Sequence, residues 1–214
     1  ACDKRLHRLI SYLNTTKTWV QISFVGDAVG DCQLALFADA SFAGDLRDSK
    51  STSGGFLCLV GPRTFVPLTW ICKKQGAVSH SSSEAEVIAL DANVRQEGIP
   101  ALLLWEDVLE IFCPGKPGVK PAKGEKTRSI DDMLRSIDFV RPSLPAAPGR
   151  ARLVILEDND AVIKMTVKGR SPNMRHVPRT HRVDLDWLFE RIREDPGISI
   201  KYVNTKQQVA DLLT

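Results

Sequence analysis

Residues 33–56 read QLALFADASFAGDLRDSKSTSGGF. The first part, Leu34-Ala35-Leu36-Phe37-Ala38, is apolar and strand-like, and it ends at Asp39. Small residues follow at Ala40, Ser41, Ala43 and Gly44. Then come a charged hairpin tip, Asp45-Leu46-Arg47-Asp48-Ser49-Lys50, and a second strand from Thr52 to Val60. A buried strand that delivers one carboxylate at its exit can present a metal ligand. Asp also starts turns, and on this segment alone the turn is the stronger reading. The rest of the chain changes the balance.

Composition bounds the answer. The 214 residues can bury one core, as a single domain with an insertion. Hydrophobic content of 43% and charged content of 26% are ordinary for a soluble globular protein. A net charge of +3 is compatible with a nucleic-acid partner but too mild to argue for one. The five Cys form no CxxC, and a reduced intracellular setting is the simplest reading. His176 and His181 lack nearby paired Cys, which speaks against zinc. No apolar run is long enough to span a bilayer, and no signal peptide is visible. The chain does not begin with Met and stops at Leu212-Leu213-Thr214 in mid-pattern for a helix. A fragment of a longer polyprotein, or a degraded reading frame, is expected.

Leu6, Leu9, Ile10 and Leu13 mark an amphipathic helix over Asp3–Asn14, and the alternation of Trp19–Val25 predicts a strand. Beyond the opening stretch, Val66–Cys72 pairs with Gly54–Val60 across the Gly61-Pro62-Arg63 break. Ser81-Ser82-Ser83-Glu84-Ala85-Glu86 opens a helix whose buried stripe is Val87, Leu90 and Val94. Ser83 with Glu86, or Ser81 with Glu84, fits a capping box, so Glu86 reads equally as a capping carboxylate. Pro100 should kink or restart that helix, and a second helical stretch runs from Ala101 to Phe112.

Residues 113–150 are rich in Pro, Gly and Lys and predict a disordered insertion, with a short helix over Ile130–Val140. Arg152–Leu156 is a fourth core strand, followed by Glu157-Asp158-Asn159-Asp160 and a helix over Ala161–Val167. Asp158 reads either as an N-cap or as a second carboxylate at a strand exit. The loop Arg170–Arg182 is the densest basic patch of the chain. A helix over Val183–Glu194, a last strand over Ile198–Val203 and a final helix capped by Thr205 and Gln208 complete the pattern. Asp211 in that last helix is, by itself, an exposed helical Asp.

The run Phe37-Ala38-Asp39-Ala40-Ser41-Phe42-Ala43-Gly44-Asp45, with Ser49-Lys50-Ser51-Thr52-Ser53-Gly54-Gly55, resembles the ribonuclease H domain of copia-type retrotransposon Pol polyproteins. Further matches are Trp70 with Lys73-Lys74-Gln75, Ser81-Ser82-Ser83-Glu84-Ala85-Glu86, Asp158-Asn159, and the run from Tyr202 to Asp211. They keep the family's order from Leu34 to the end. Arg182 and Leu188 stand where the family usually has His, so no role passes to them on that ground.

The resemblance implies an α/β, ribonuclease H-like fold: a five-stranded mixed sheet, three strands antiparallel and then two parallel, flanked by helices. It implies a connection segment over 1–31, leading from a reverse transcriptase, and a ribonuclease H-like domain over 32–214 carrying the 113–150 insertion. Asp39, Glu86, Asp158 and Asp211 become the catalytic, metal-binding carboxylates, with Glu84 as the solvent-side neighbour of Glu86. Hard oxygen ligands of this kind suit Mg²⁺ or Mn²⁺, and carboxylates held close repel unless cations neutralise them, which argues for two ions. In the family's scheme Asp39 bridges and Asp158 is central, with Glu86 on the leaving-group side and Asp211 on the water side.

The implied activity is hydrolysis of the RNA strand of RNA–DNA hybrids during reverse transcription. The implied partners are the hybrid and the reverse transcriptase of the same polyprotein, with no membrane. The implied setting is intracellular, in a cytoplasmic virus-like particle or the nucleus. Lys73, Lys74, Arg179, His181 and Arg182 are the candidate phosphate contacts; Lys73 and Lys74 read equally as a solvated hairpin end. The competing reading is a catalytically degenerate domain that serves as a structural or nucleic-acid-binding part of a Pol fragment.

Overall fold

The computed structural model describes residues 2–44, 47–113, 150–169 and 174–214. The expectations for Asp45 and Leu46, for 114–149 of the insertion with its helix over Ile130–Val140, and for Arg170–Asn173 of the basic loop lie outside the described residues.

Five strands form one sheet in the order β3-β2-β1-β4-β5. They are β1 (Gln33–Ser41), β2 (Thr52–Gly61), β3 (Thr64–Lys74), β4 (Leu153–Glu157) and β5 (Ile198–Tyr202). β2 runs antiparallel to both β1 and β3, whereas β4 is parallel to β1 and β5 is parallel to β4. This is the expected mixture of three antiparallel and two parallel strands. Pro67 cannot donate to a ladder and is tolerated because β3 is an edge strand with a register shift at that point.

β1 does not stop at Asp39. Its ladder continues through Ala40 and Ser41, opposite Ser53 and Thr52, and Asp39 pairs with Gly54. Ladder hydrogen bonds override the turn preference of small residues. The carboxylate therefore stands inside a strand and not at its exit.

Among the described residues there are six α-helices: α1 (Cys2–Thr16), which buries no residue, α2 (Ser82–Asn93), α3 (Ile99–Phe112), α4 (Asp160–Lys168), α5 (Val177–His181) and α6 (Leu185–Glu194). Leu34, Leu36 and Ala38 alternate onto one face of β1. There they join one core with Val87, Leu90 and Val94, and with Leu188, Phe189 and Ile192 of α6. Ala35, Phe37 and Cys58 belong to a separate, smaller cluster with Ala210. One face of the sheet thus lies under helices, and the C-terminal segment packs on the other.

Pro100 does not end the helix begun at Ser82. A π-helical turn over Val94–Gly98 joins α2 to α3, and Pro100 falls in the first turn of α3, where a missing N–H costs least. α6 begins at Leu185 because the Asp184 side chain accepts from the Trp187 N–H at 3.0 Å and caps it.

Two other expectations are corrected. Trp19–Val25 forms no strand, and its apolar residues are exposed. Alternation alone supplies no neighbour, and a strand needs one for its backbone groups. The final segment is not one helix but two 3₁₀ turns, Thr205–Gln207 and Val209–Leu213. The Gln208 side chain donates to the Ala38 carbonyl at 2.8 Å, and this anchor on β1 replaces the capping-box geometry.

Candidate functional site

Three of the four candidate carboxylates meet. One oxygen each from Asp39, Glu86 and Asp158 lies within 4.8 Å of the others. β1 carries Asp39, the first turns of α2 carry Glu86, and Asp158 follows β4 directly. The parallel pairing of β1 with β4 brings the strand-borne pair together, and α2 packs over β1 to add Glu86. Asp211 is outside this trio and exposed, but close enough for its charge to act on Asp39 and Glu86.

The helix start that delivers Glu86 is fixed by Ser81. Its hydroxyl oxygen accepts from the Glu84 N–H at 3.1 Å, so Ser81 is the cap and the Ser83–Glu86 box does not form. Glu86 is free of that duty, and its buried Oε2 has no hydrogen-bond partner. Asn159, not Asp158, caps α4, accepting from the Ala161 N–H at 3.0 Å. Both alternatives that would have tied these carboxylates to helix caps are thus removed.

Electrostatics follow from this crowding. Burial, helped by the charges of Asp39 and Asp158, pushes Glu86 up to about 9. Burial also raises Asp39, against a hydrogen bond from Thr214 that lowers it. A buried carboxyl oxygen with no donor, among carboxylates that resist ionisation together, suits a hard divalent cation.

Glu157 was not anticipated. It is fully buried, burial raises its pKa well above the ordinary range, and Glu86 adds to that rise. Its Oε1 accepts from the Asn159 N–H at 3.2 Å, and its Oε2 has no partner. A signal was available: along β4, period two puts Glu157 on the face of Leu153 and Ile155. Gln75 follows Lys73 and Lys74 at the end of the hairpin, and nothing local in the sequence marks its role. Its side chain donates to Ser53 Oγ at 3.0 Å and to the Ala85 carbonyl at 2.9 Å, tying α2 to the hairpin.

The basic candidates separate. Lys73 and Lys74 are exposed at the end of β3, and Lys74 pairs with Asp48 at 2.9 Å. Arg179 and Arg182 are exposed on and after α5. His181 is not with them. Its side chain is 2% exposed and its Nε2 lies 3.1 Å from Glu84 Oε1, which corrects its assignment as a phosphate contact. Glu84 is likewise not a solvent-side neighbour; it is buried.

No family model matches the chain. Over 94 residues, 44% of its length, it is 35% identical to Secreted RxLR effector protein 161 of Plasmopara viticola, and it spans 61% of that protein. Among solved structures, it is similar to the N-terminal ribonuclease H domain of a Mycobacterium tuberculosis protein, with a TM-score of 0.43 and 11% identity over 85% of this chain and 90% of that one. The values for ribonuclease H1 of Halobacterium salinarum are 0.43 and 13%, over 85% and 93%. The fold is ribonuclease H-like. Strand order and direction carry that statement: β1 is central, an antiparallel hairpin flanks it on one side, and two parallel strands flank it on the other. Within this ribonuclease H-like sheet, the carboxylate trio sits where β1, β4 and α2 meet. Among the described residues, no helix is long and apolar enough to cross a membrane.

Proposed function

We propose that this chain is a metal-dependent endonuclease of ribonuclease H type, hydrolysing the RNA strand of RNA–DNA hybrids. The observation that carries the reading is the meeting of Asp39, Glu86 and Asp158 within 4.8 Å on a ribonuclease H-like sheet. Asp39, Glu86 and Asp158 would hold divalent cations of the magnesium class, with Asp211 beside them. Bound there, such ions supply Lewis-acid polarisation of a phosphodiester and a water of lowered pKa.

The remaining work falls to the chain itself. Without a cation, burial and the charges of Asp39 and Asp158 favour the protonated form of Glu86; a cation held there would displace that proton, so its affinity would rise with pH. Thr214 holds Asp39 through a hydrogen bond to Oδ2 at 2.7 Å, fixing one carboxylate before any substrate arrives. Lys73, Lys74, Arg179 and Arg182 are the exposed cations for the phosphate backbone. The order of motifs from Leu34 to Asp211 supports an origin in a copia-type Pol polyprotein, with its reverse transcriptase as partner and an intracellular setting.

Cleavage of a labelled RNA–DNA hybrid with Mg²⁺ or Mn²⁺ tests this. Asp39→Asn and Asp158→Asn should each cost at least about 100-fold, more than an outer-shell change does. A folded chain that binds the hybrid without cutting it would favour the degenerate binding domain instead.

A further inference from the structure

Around the buried carboxylate of Glu84, on the first turn of α2, three imidazoles gather from two distant parts of the chain. His176 Nε2 lies 3.1 Å from Glu84 Oε2, and His181 Nε2 lies 3.1 Å from Glu84 Oε1. The His80 ring stands against that of His176, with centroids 5.0 Å apart. One potential ligand atom each from His80, Glu84 and His176 falls within 4.8 Å of the others. None of these groups belongs to the Asp39–Glu86–Asp158 trio.

We propose that His80, Glu84 and His176 form a second metal site, for a divalent ion of the zinc class, with His181 orienting the carboxylate. A tetrahedral zinc site with bonds of about 2.0–2.1 Å places neighbouring ligand atoms about 3.3 Å apart. The His176–Glu84 separation of 3.1 Å already matches such an edge. His80 is exposed, and one of its ring nitrogens already lies within 4.8 Å of the other two ligand atoms. His181 is 2% exposed and holds the carboxylate's second oxygen, as partners behind a metal ligand do. Glu84 is shut from solvent, whereas the His176 side chain is 40% exposed, which leaves an entry path and a fourth position.

Donor chemistry separates the two centres. Two imidazoles and one carboxylate select zinc-class ions, whereas an all-carboxylate trio selects magnesium-class ions. The absence of paired Cys, which argued against zinc in the sequence, is met by His80 and Glu84. The ion would tie the α5 segment to the start of α2, and it stands whether or not the chain cleaves hybrids.

The test is Zn²⁺ titration by calorimetry on the untagged full chain, with excess Mg²⁺ present to occupy the carboxylate trio. One equivalent should bind, and Co²⁺ in its place should give the visible bands of a four-coordinate nitrogen-containing site. His80→Ala, a change at an exposed position, and His176→Ala should each weaken binding at least about 10-fold. Asp39→Asn should leave it unchanged. No saturable uptake, or uptake that survives both His variants and vanishes on cysteine alkylation, would overturn the proposal.

Discussion

Asn93 on α2 fills the space that a side chain at Gly55 would need: a Cβ there would collide with the Asn93 carboxamide. The Asn93 amide donates to the Gly54 carbonyl and to the Ala89 carbonyl, each at 2.9 Å. This clasp seats α2 on β2 and so fixes where Glu86 stands relative to Asp39. Gly55→Ala must expel the Asn93 side chain and strand its buried amide. The expected loss is about 3 kcal/mol in urea unfolding. Adding Asn93→Ala should recover part of it, since the two positions share one space.

Thr214 Oγ1 donates to Asp39 Oδ2 at 2.7 Å and favours the ionised carboxylate. Thr214→Val removes the donor and keeps the shape. Asp39 should then titrate at higher pH than in the unmodified chain, as read by carboxyl-carbon NMR. An unchanged titration would mean that the bond does not hold Asp39 in solution.

The metal-free protein should lose stability as pH rises. Glu86, Glu157 and Asp39 all have raised pKa values, with burial the largest cause in each case. Each therefore binds its proton more tightly folded than unfolded, and the unfolded chain holds fewer protons between the two pKa values. For Glu86 that window runs from its ordinary 4.5 to about 9. One such group costs up to about 1.4 kcal/mol per pH unit within its window. Melting temperatures in EDTA should fall from about pH 5 to pH 8, and Glu86→Gln should flatten the fall. A level profile in the unmodified chain would contradict the burial of these carboxyls.

Hybrid binding should depend on salt through the exposed cations. Arg179→Ala and Arg182→Ala should each reduce the slope of log affinity against log salt by about 1. His181→Ala should leave the slope as it is, because that ring faces Glu84 and not solvent. A slope change in the His181 variant equal to that in the Arg variants would restore His181 to the phosphate surface. Fluorescence anisotropy across a salt series makes the comparison.

The sequence by itself marked all five strands in order, together with a sixth over Trp19–Val25 that does not form, the helix that opens at Ser81 and the buried stripe Val87, Leu90 and Val94. These are local signals: a period of two or 3.6 residues and a capping oxygen act within a few positions. It also supplied the three carboxylates that meet, through a resemblance and not through periodicity. Tertiary structure decided the rest. Asp39 lies within β1 because Ser53 and Gly54 pair across from that end of the strand. The last segment folds as 3₁₀ turns because Gln208 finds the Ala38 carbonyl. Glu84 turns inward to accept from the His80 backbone N–H at its own helix start and to meet His176 and His181, over ninety positions away. Whether a polar side chain is buried depends on which distant groups come to meet it, and no short-range pattern encodes that meeting.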